Sequence, residues 1–264
     1  TSSAGCRWVL TKMTESLVGI YLYDTLNKQV VTTPTKYVAP GETRTLSSMS
    51  LACIAYSPWT IDQSVTWSSY YQASVASDGT VTGLCATGGN TIYVTAQKAV
   101  NGYDRTASFK LLVTEIPNGT YYLKNKETER HADIRGASMA DGTVIHQYAY
   151  NGGASQRWTF THLGDGTYSI KSANSTTAYY LGVSGDSEDN NAPIVLRTGA
   201  ITDGMKWAVT KTDSFAYKIM PKTGVTYSRV LAVGWYAVNT DSIALQQRDY
   251  VGSAASNDNF QDEW

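Results

Sequence analysis

An excess of positive charge is the first thing this sequence lacks. Lys and Arg number 21 against 22 Asp and Glu, the formal net charge is −1, and charged residues make up 16% of the chain. Binding to a polyanion draws on clustered cations that neutralise phosphates, so neither nucleic acid nor an anionic membrane is an expected partner. Long apolar runs are missing too. No stretch of about 18 apolar residues is present to span a bilayer, so no membrane insertion is expected, and no signal segment is visible. Low charge beside 42% hydrophobic residues argues against a disordered tail.

Cysteine is scarce. Cys6, Cys53 and Cys85 are too few for a disulfide framework in a chain this long, and an odd count leaves at least one free. Cys53 sits in the apolar stretch Leu51-Ala52-Cys53-Ile54 and reads as a small buried hydrophobe. Cys85 occupies a surface-loop position, and one bridge among the three stays open. The signatures of catalysis are absent as well: no Gly-rich phosphate loop, no His-Glu-x-x-His helix, no Ser nucleophile elbow. A Cys–His dyad would need one of His131, His146 and His162, all of which serve the repeats described next. The acidic stretch 185–191 lacks the alternating ligand spacing of a calcium loop. No catalytic residue, metal or cofactor is therefore expected, and this segment is not expected to be an enzyme. Asn118-Gly119-Thr120 and Asn174-Ser175-Thr176 fit a glycosylation sequon, which matters only in a eukaryotic secretory host.

What is present is repetition. Tyr121-Tyr122-Leu123, Tyr168-Ser169-Ile170 and Tyr217-Lys218-Ile219 open three passages of about 49 residues, and Trp158, Trp207 and Trp264 close them. Between these markers Ala132-Asp133-Ile134 recurs as Leu181-Gly182-Val183 and Leu231-Ala232-Val233, and Ile145, Ile194 and Ile243 fall 49 apart. A fixed period marks a unit that completes its core only by associating with its copies. Each copy reads as four short strands rich in Tyr, Val, Ile and Trp, with no helical period between Gly, Asn, Asp and Ser clusters. In the first copy these are 119–125, 130–136, 143–150 and 156–161. Three such units give twelve strands, and closure into a barrel removes their exposed edges.

Gln156-Arg157-Trp158 resembles the QxW signature of ricin-B-type β-trefoil lectins and carbohydrate-binding modules. Ala132-Asp133-Ile134, Gly142 to Tyr148 and Asn151-Gly152-Gly153 resemble the sugar site that precedes it, and the resemblance covers 119–264. It implies a sugar site of simple chemistry: a carboxylate for two hydroxyls, a ring under the apolar C–H face, and amides or imidazole to fix orientation. Carried onto the first copy, it places Asp133 as the carboxylate, Tyr148 as the ring, His146 and Asn151 as hydroxyl partners, and Gln156 as a support for Asp133 or a sugar contact. The second copy has Gly182, Arg197 and Met205 at the places of Asp133, Tyr148 and Gln156. The third has Ala232, Gln246 and Asp262. One competent site and two structural repeats are expected. The plain alternative is a scaffold in which Asp133 is a turn residue and Tyr148 a barrel aromatic.

The first part of the chain reads as a second all-β unit. Val38 to Thr43 forms a turn, Val65 to Ser69 an alternating strand around Trp67, and Val75 to Gly83 a hairpin with Asp78-Gly79 at its tip. Thr91 to Ala96 and Ser108 to Thr114 follow as strands. This order resembles the bacterial immunoglobulin-like group 2 (Big2) domain, which implies a spacer or adhesive module, with Trp67 filling its core. The expected organisation is an N-terminal β extension at 1–30, an Ig-like β-sandwich at 31–116 and a β-trefoil at 117–264, with repeats 119–165, 166–214 and 215–264. Cys6-Arg7-Trp8 echoes Gln156-Arg157-Trp158, so the extension reads either as a remnant of an upstream repeat or as a hairpin packed on the sandwich. The chain starts and stops mid-pattern, as a piece of something longer would.

The expected function is a non-catalytic carbohydrate-binding module on an Ig-like spacer. It would belong to a secreted or cell-surface bacterial protein, act as a monomer, and bind galactose-type or other polysaccharide units. The alternatives are a structural stalk without sugar affinity and the targeting arm of a secreted hydrolase or peptidase.

Overall fold

A computed structural model describes residues 19–55, 60–61, 64–100, 102–212, 216–223, 229–234, 239–250 and 262–264. Among them, regular structure consists of β-strands and five single-turn 3₁₀ segments, with no α-helix. Trp8 and Cys6 lie outside the described residues.

Three sheets build the first unit. Gln29–Val31, Ile20–Asp24, Leu51–Ala55 and Thr60–Ile61 form one, and Thr35–Val38, Tyr103–Val113, Ile92–Val100 and Thr66–Ser69 form another. Thr43–Arg44, Val81–Gly83 and Ala73–Val75 complete the unit. Thr35–Val38 joins its neighbour in parallel, and the other pairs are antiparallel. Period-two patterning decides which side faces in: Phe109, Leu111 and Val113 are buried and meet Leu22, Val38, Leu51 and Val94 in a shared core, as side chains alternate across a strand. Trp67 is half-buried, packs on this core and meets Phe109 edge-on, with centroids 6.5 Å apart. Ile20–Asp24, placed by sequence within an N-terminal extension, pairs along its whole length with Leu51–Ala55. Backbone pairing therefore makes it a member of this unit's sheet.

The second unit carries the repeat. Trp158, Trp207 and Trp264 each donate their indole N–H to a backbone carbonyl, of Ala132, Leu181 and Leu231, at 3.0, 3.0 and 2.7 Å. Each also lies opposite the opening tyrosine of its own copy. Tyr121 pairs with Trp158 and Tyr168 with Trp207, and Tyr217 exchanges two backbone hydrogen bonds with Trp264. The tryptophans meet Ile134, Ile145, Phe160, Ile170, Leu181 and Ile194 in one core.

A ring of backbone contacts joins the three copies. Isolated bridges link Val144 to Val195, Pro193 to Gln246, and His146 to Ala244. The N–H groups of Gly142, Asn191 and Ser242 donate across copies to the carbonyls of Leu196, Gln247 and Gln147, each at 2.8 Å. These three donors share a left-handed backbone, with φ of 80°, 69° and 71°. Glycine adopts that conformation freely and Asn tolerates it, whereas Ser is held there at a cost.

This ring corrects the register of the third copy. Counting by a constant period sets Gln246 against Tyr148 and Ile243 against Ile194. The hydrogen bonds instead set Gln246 against His146, Leu245 against Ile194, and Arg248 against Tyr148, because Ala232 pairs with Gln246 as Asp133 pairs with His146.

The two units touch through polar contacts. His162 Nδ1 donates to Glu42 Oε2 at 2.7 Å, and Glu42 Oε2 also accepts the Ala39 N–H at 2.7 Å. The Tyr168 hydroxyl donates to the Ile116 carbonyl at 2.6 Å and lies 2.5 Å from Thr114 Oγ1. Burial is the main reason its pKa is pushed up to about 12.

Candidate functional site

The site is built on the first-copy hairpin of His131–Ile134 and Ile145–Tyr148. Asp133 lies opposite His146, and His131 opposite Tyr148. Strand alternation puts these four side chains on one face and sends Ala132, Ile134, Ile145 and Gln147, all fully buried, to the other. The fully buried set faces the core, so the set with Asp133 and His146 faces away from it.

On this face the Ser155 hydroxyl donates to Asp133 Oδ2 at 3.2 Å, and His146 Nε2 stands 3.5 Å from Oδ1. The His146 and Tyr148 rings stack at 5.6 Å with 25° between planes. Tyr148 is 38% exposed, whereas the Asp133 side chain keeps 7% of its surface open. The ring is thus presented openly, and the carboxylate is largely covered. A carboxylate has about four lone-pair positions, so Ser155 and His146 leave acceptor capacity on Asp133. His146 Nδ1 has no hydrogen-bond partner within the protein.

Two residues assigned by sequence take part in holding the loop. Gln156 is fully buried, and its amide is spent on the loop: Nε2 donates to the Ala149 carbonyl at 2.8 Å, and Oε1 accepts the Asn151 N–H at 3.0 Å. It neither holds Asp133 nor reaches the surface, because it ends the 3₁₀ segment Ala154–Gln156 with its side chain buried beneath the loop. Asn151 is exposed, and its Oδ1 caps the turn by accepting the Gly153 N–H at 2.8 Å. The residue that does meet the carboxylate is Ser155. Its position directly before the QxW tripeptide was the available signal.

An aromatic cluster adjoins the hairpin. Tyr122 and Tyr150 meet edge-on at 5.2 Å, and His131 lies 5.1 Å from Tyr150 and 6.1 Å from Tyr122. A hydrogen bond from Tyr122 is the first reason the Tyr150 hydroxyl titrates above its usual range, and burial, followed by the nearby Lys124, lowers the His131 pKa.

The other copies lack this arrangement. At Gly182 an added Cβ would lie 2.8 Å from Arg197 Cγ and 2.9 Å from Met205 Cγ, so those side chains fill the place of an aspartate. Arg197 Nη1 donates to Asp186 Oδ1 at 3.0 Å, and Thr202 Oγ1 and the Gly204 N–H donate to the same oxygen. Burial opposes the charge on Asp186, but the bonds from Thr202 and Arg197 outweigh it and lower its pKa. This carboxylate of the acidic stretch is thereby committed to its own copy. In the third copy Ala232 is buried, and no carboxylate stands at that position. Among the described residues no group of three or more His, Cys, Asp or Glu could hold a metal. No helix there is long and apolar enough to cross a membrane. Cys53 is buried and Cys85 is an exposed free thiol.

Threefold hairpins closed around a tryptophan-centred core define an all-β protein with β-trefoil features. Residues 105–197 and 154–248 match the family model of the ricin-type beta-trefoil lectin domain-like proteins, and the chain belongs to that family. It is 33% identical to flavastacin from Elizabethkingia meningoseptica over 110 residues, 41% of this chain and 25% of flavastacin. It is 34% identical to the clotting factor G alpha subunit of Tachypleus tridentatus over 53 residues, 20% of this chain and 8% of that protein. The chain thus spans a quarter or less of the length of these relatives. Among solved structures it is similar to ThreeFoil, a designed 3-fold symmetric protein, with a TM-score of 0.49 and 26% identity, covering 56% of this chain and 96% of that one.

Proposed function

We propose that this chain is a non-catalytic carbohydrate-binding module with one sugar site, in the first trefoil repeat, carried on an Ig-like spacer of the Big2 type within a larger secreted or cell-surface bacterial protein. The observation that carries the reading is the convergence of Asp133, His146, Tyr148 and Ser155 on one face of one hairpin, while Arg197 and Met205 fill the equivalent place in the second copy. Tyr148 offers its ring to the C–H face of a pyranose, and Asp133 accepts from the hydroxyls, with Ser155 and His146 holding its oxygens. Asn151 and Gln156 shape the loop that borders the site. We assign the spacer to the chain from the strand Ile20–Asp24 to residue 116 and the trefoil to 117–264. A galactose-type sugar and a monomeric, extracellular module are parts of the same proposal. Delivery of a catalytic domain elsewhere in the natural protein, a hydrolase or peptidase, would be the use of such a module. Affinity in the millimolar to tens of micromolar range, about 4–7 kcal/mol, suits a shallow polar site that exchanges sugar–water for sugar–protein hydrogen bonds at small net gain.

The covered state of the Asp133 carboxylate favours a second reading, in which Asp133, Ser155 and His146 form a structural tie and the unit is a stalk. A glycan array probed with the wild type and Asp133→Ala separates the two. A specific signal that disappears in the variant supports the module, and silence from both supports the stalk.

A further inference from the structure

We propose that Tyr150, with Tyr122 and His131, forms a second sugar subsite contiguous with the Asp133–Tyr148 site, so that the ligand is an oligosaccharide whose next pyranose lies on the Tyr150 ring. The proposal rests on the glycan reading of the first-copy hairpin and extends it to a class of ligand.

Three observations carry it. The first is distribution: among the described residues of the trefoil, the large hydrophobic side chains left exposed are Tyr122, Tyr148 and Tyr150, at 41%, 38% and 59%. All three belong to the first copy. Large apolar side chains collected on one face of a soluble domain mark a place where something binds, and a tyrosine ring offers what the C–H face of a sugar needs while its hydroxyl stays wet.

The second is continuity. His131 is the register partner of Tyr148 across the hairpin and its half-buried ring lies 5.1 Å from Tyr150, so it links the Asp133 hairpin to the exposed Tyr150 and Tyr122 rings. The Arg157 guanidinium, borne at the register partner of Tyr122 and near enough to act on the Tyr150 hydroxyl through its charge, offers N–H donors to sugar hydroxyls.

The third is the fate of the same positions in the other copies. In the corrected register Tyr150 corresponds to Gly199 and Tyr250, and Tyr122 to Ser169 and Lys218. The second copy has no ring there. The third copy has one, but the Lys218 ammonium lies 4.4 Å above the Tyr250 ring and Glu263 Oε1 accepts from its hydroxyl at 3.1 Å. One platform is absent, one is capped, and the one beside the Asp133 site is open.

The test is calorimetric titration of the full chain with paired probes: galactose and lactose, glucose and cellobiose, xylose and xylobiose. Proteins compared are the wild type, Tyr150→Ala, Tyr150→Phe and Asp133→Ala. For the pair that binds, wild type is expected to prefer the disaccharide by about 5- to 100-fold, the range that stacking of one ring supplies. Tyr150→Ala should lose that preference while keeping its monosaccharide affinity, and Tyr150→Phe should retain it. Asp133→Ala should lose both sugars, which reports on the first site alone. Equal affinities of the wild type for mono- and disaccharide would overturn the subsite and leave the single-site lectin standing. So would a Tyr150→Ala protein that keeps the preference. Wild-type protein that binds none of the six sugars would overturn both proposals together.

Discussion

Gly182 and Arg197 occupy one volume between them: a Cβ on the glycine would stand 2.8 Å from Cγ of the arginine. The second copy has thus exchanged a carboxylate for a long side chain that fills its place and ties down Asp186 instead. Gly182→Asp alone is therefore expected to destabilise the chain by about 1–3 kcal/mol through overpacking. Pairing it with Met205→Ala should recover part of that loss. Thermal melts of the single and double variants decide the matter, and an unchanged melting temperature for Gly182→Asp would contradict the filled pocket.

Tyr148→Ala is expected to cost about 1–3 kcal/mol of sugar binding through lost stacking, by analogy with base–aromatic stacking. Gln246→Ala and Arg248→Ala should leave affinity unchanged, because neither lies beside a carboxylate at the Asp133 position. Comparable losses from all three, measured by titration with the same sugar, would count against a single first-copy site.

The contact between the units carries a pH dependence. Burial opposes charge on Glu42, but hydrogen bonds from His162 and the Ala39 N–H, with the charges of His162 and Arg44, hold its pKa below the usual 4.5. A depressed carboxylate stabilises the fold at pH above its unfolded value and loses that contribution as pH falls through the folded one. The stability gap between wild type and Glu42→Gln should be present at about pH 5 and shrink below about pH 4.5, as the unfolded carboxylate takes up its proton. Glu115, whose pKa burial raises, contributes with the opposite sign. Denaturant unfolding of both proteins across this window is the measurement, and a gap that widened on acidification would refute the assignment.

Trp207 is fully buried, with its indole N–H on the Leu181 carbonyl at 3.0 Å. Trp207→Ala should cost about 3–5 kcal/mol. Trp67→Ala, at a half-buried position on the other core, should cost less. Chemical denaturation ranks them, and the reverse order would mean that the barrel core is not where stability resides.

How much was legible in the residues differs from site to site. Tyr121, Tyr168 and Tyr217 could be read as openings of the copies and Trp158, Trp207 and Trp264 as their ends, since core positions must recur wherever the backbone recurs; that each tyrosine lies opposite its tryptophan appears only in the fold. Asp133, His146 and Tyr148 are named together through the family resemblance, and the hairpin register with strand alternation puts them on one face. Gln156 could not be assigned, because the partner of a buried amide depends on where the following loop runs. The Tyr122–Tyr150 contact joins residues 28 apart in sequence, and no local pattern announces it.

The order of residues by itself determined the threefold spacing, the strand faces and the loss of the carboxylate from two copies, since each of these is a matter of which side chain stands at which step of a repeated backbone. Tertiary structure alone decided that Gln246 corresponds to His146, that Ser155 meets Asp133, and that the Asp133 carboxylate is largely covered. Those outcomes follow from hydrogen bonds and packing within and between copies, where one extra residue before Ala232 and another between Ala232 and Gln246 shift the later equivalences and a neighbouring side chain sets how much of a charge remains in water.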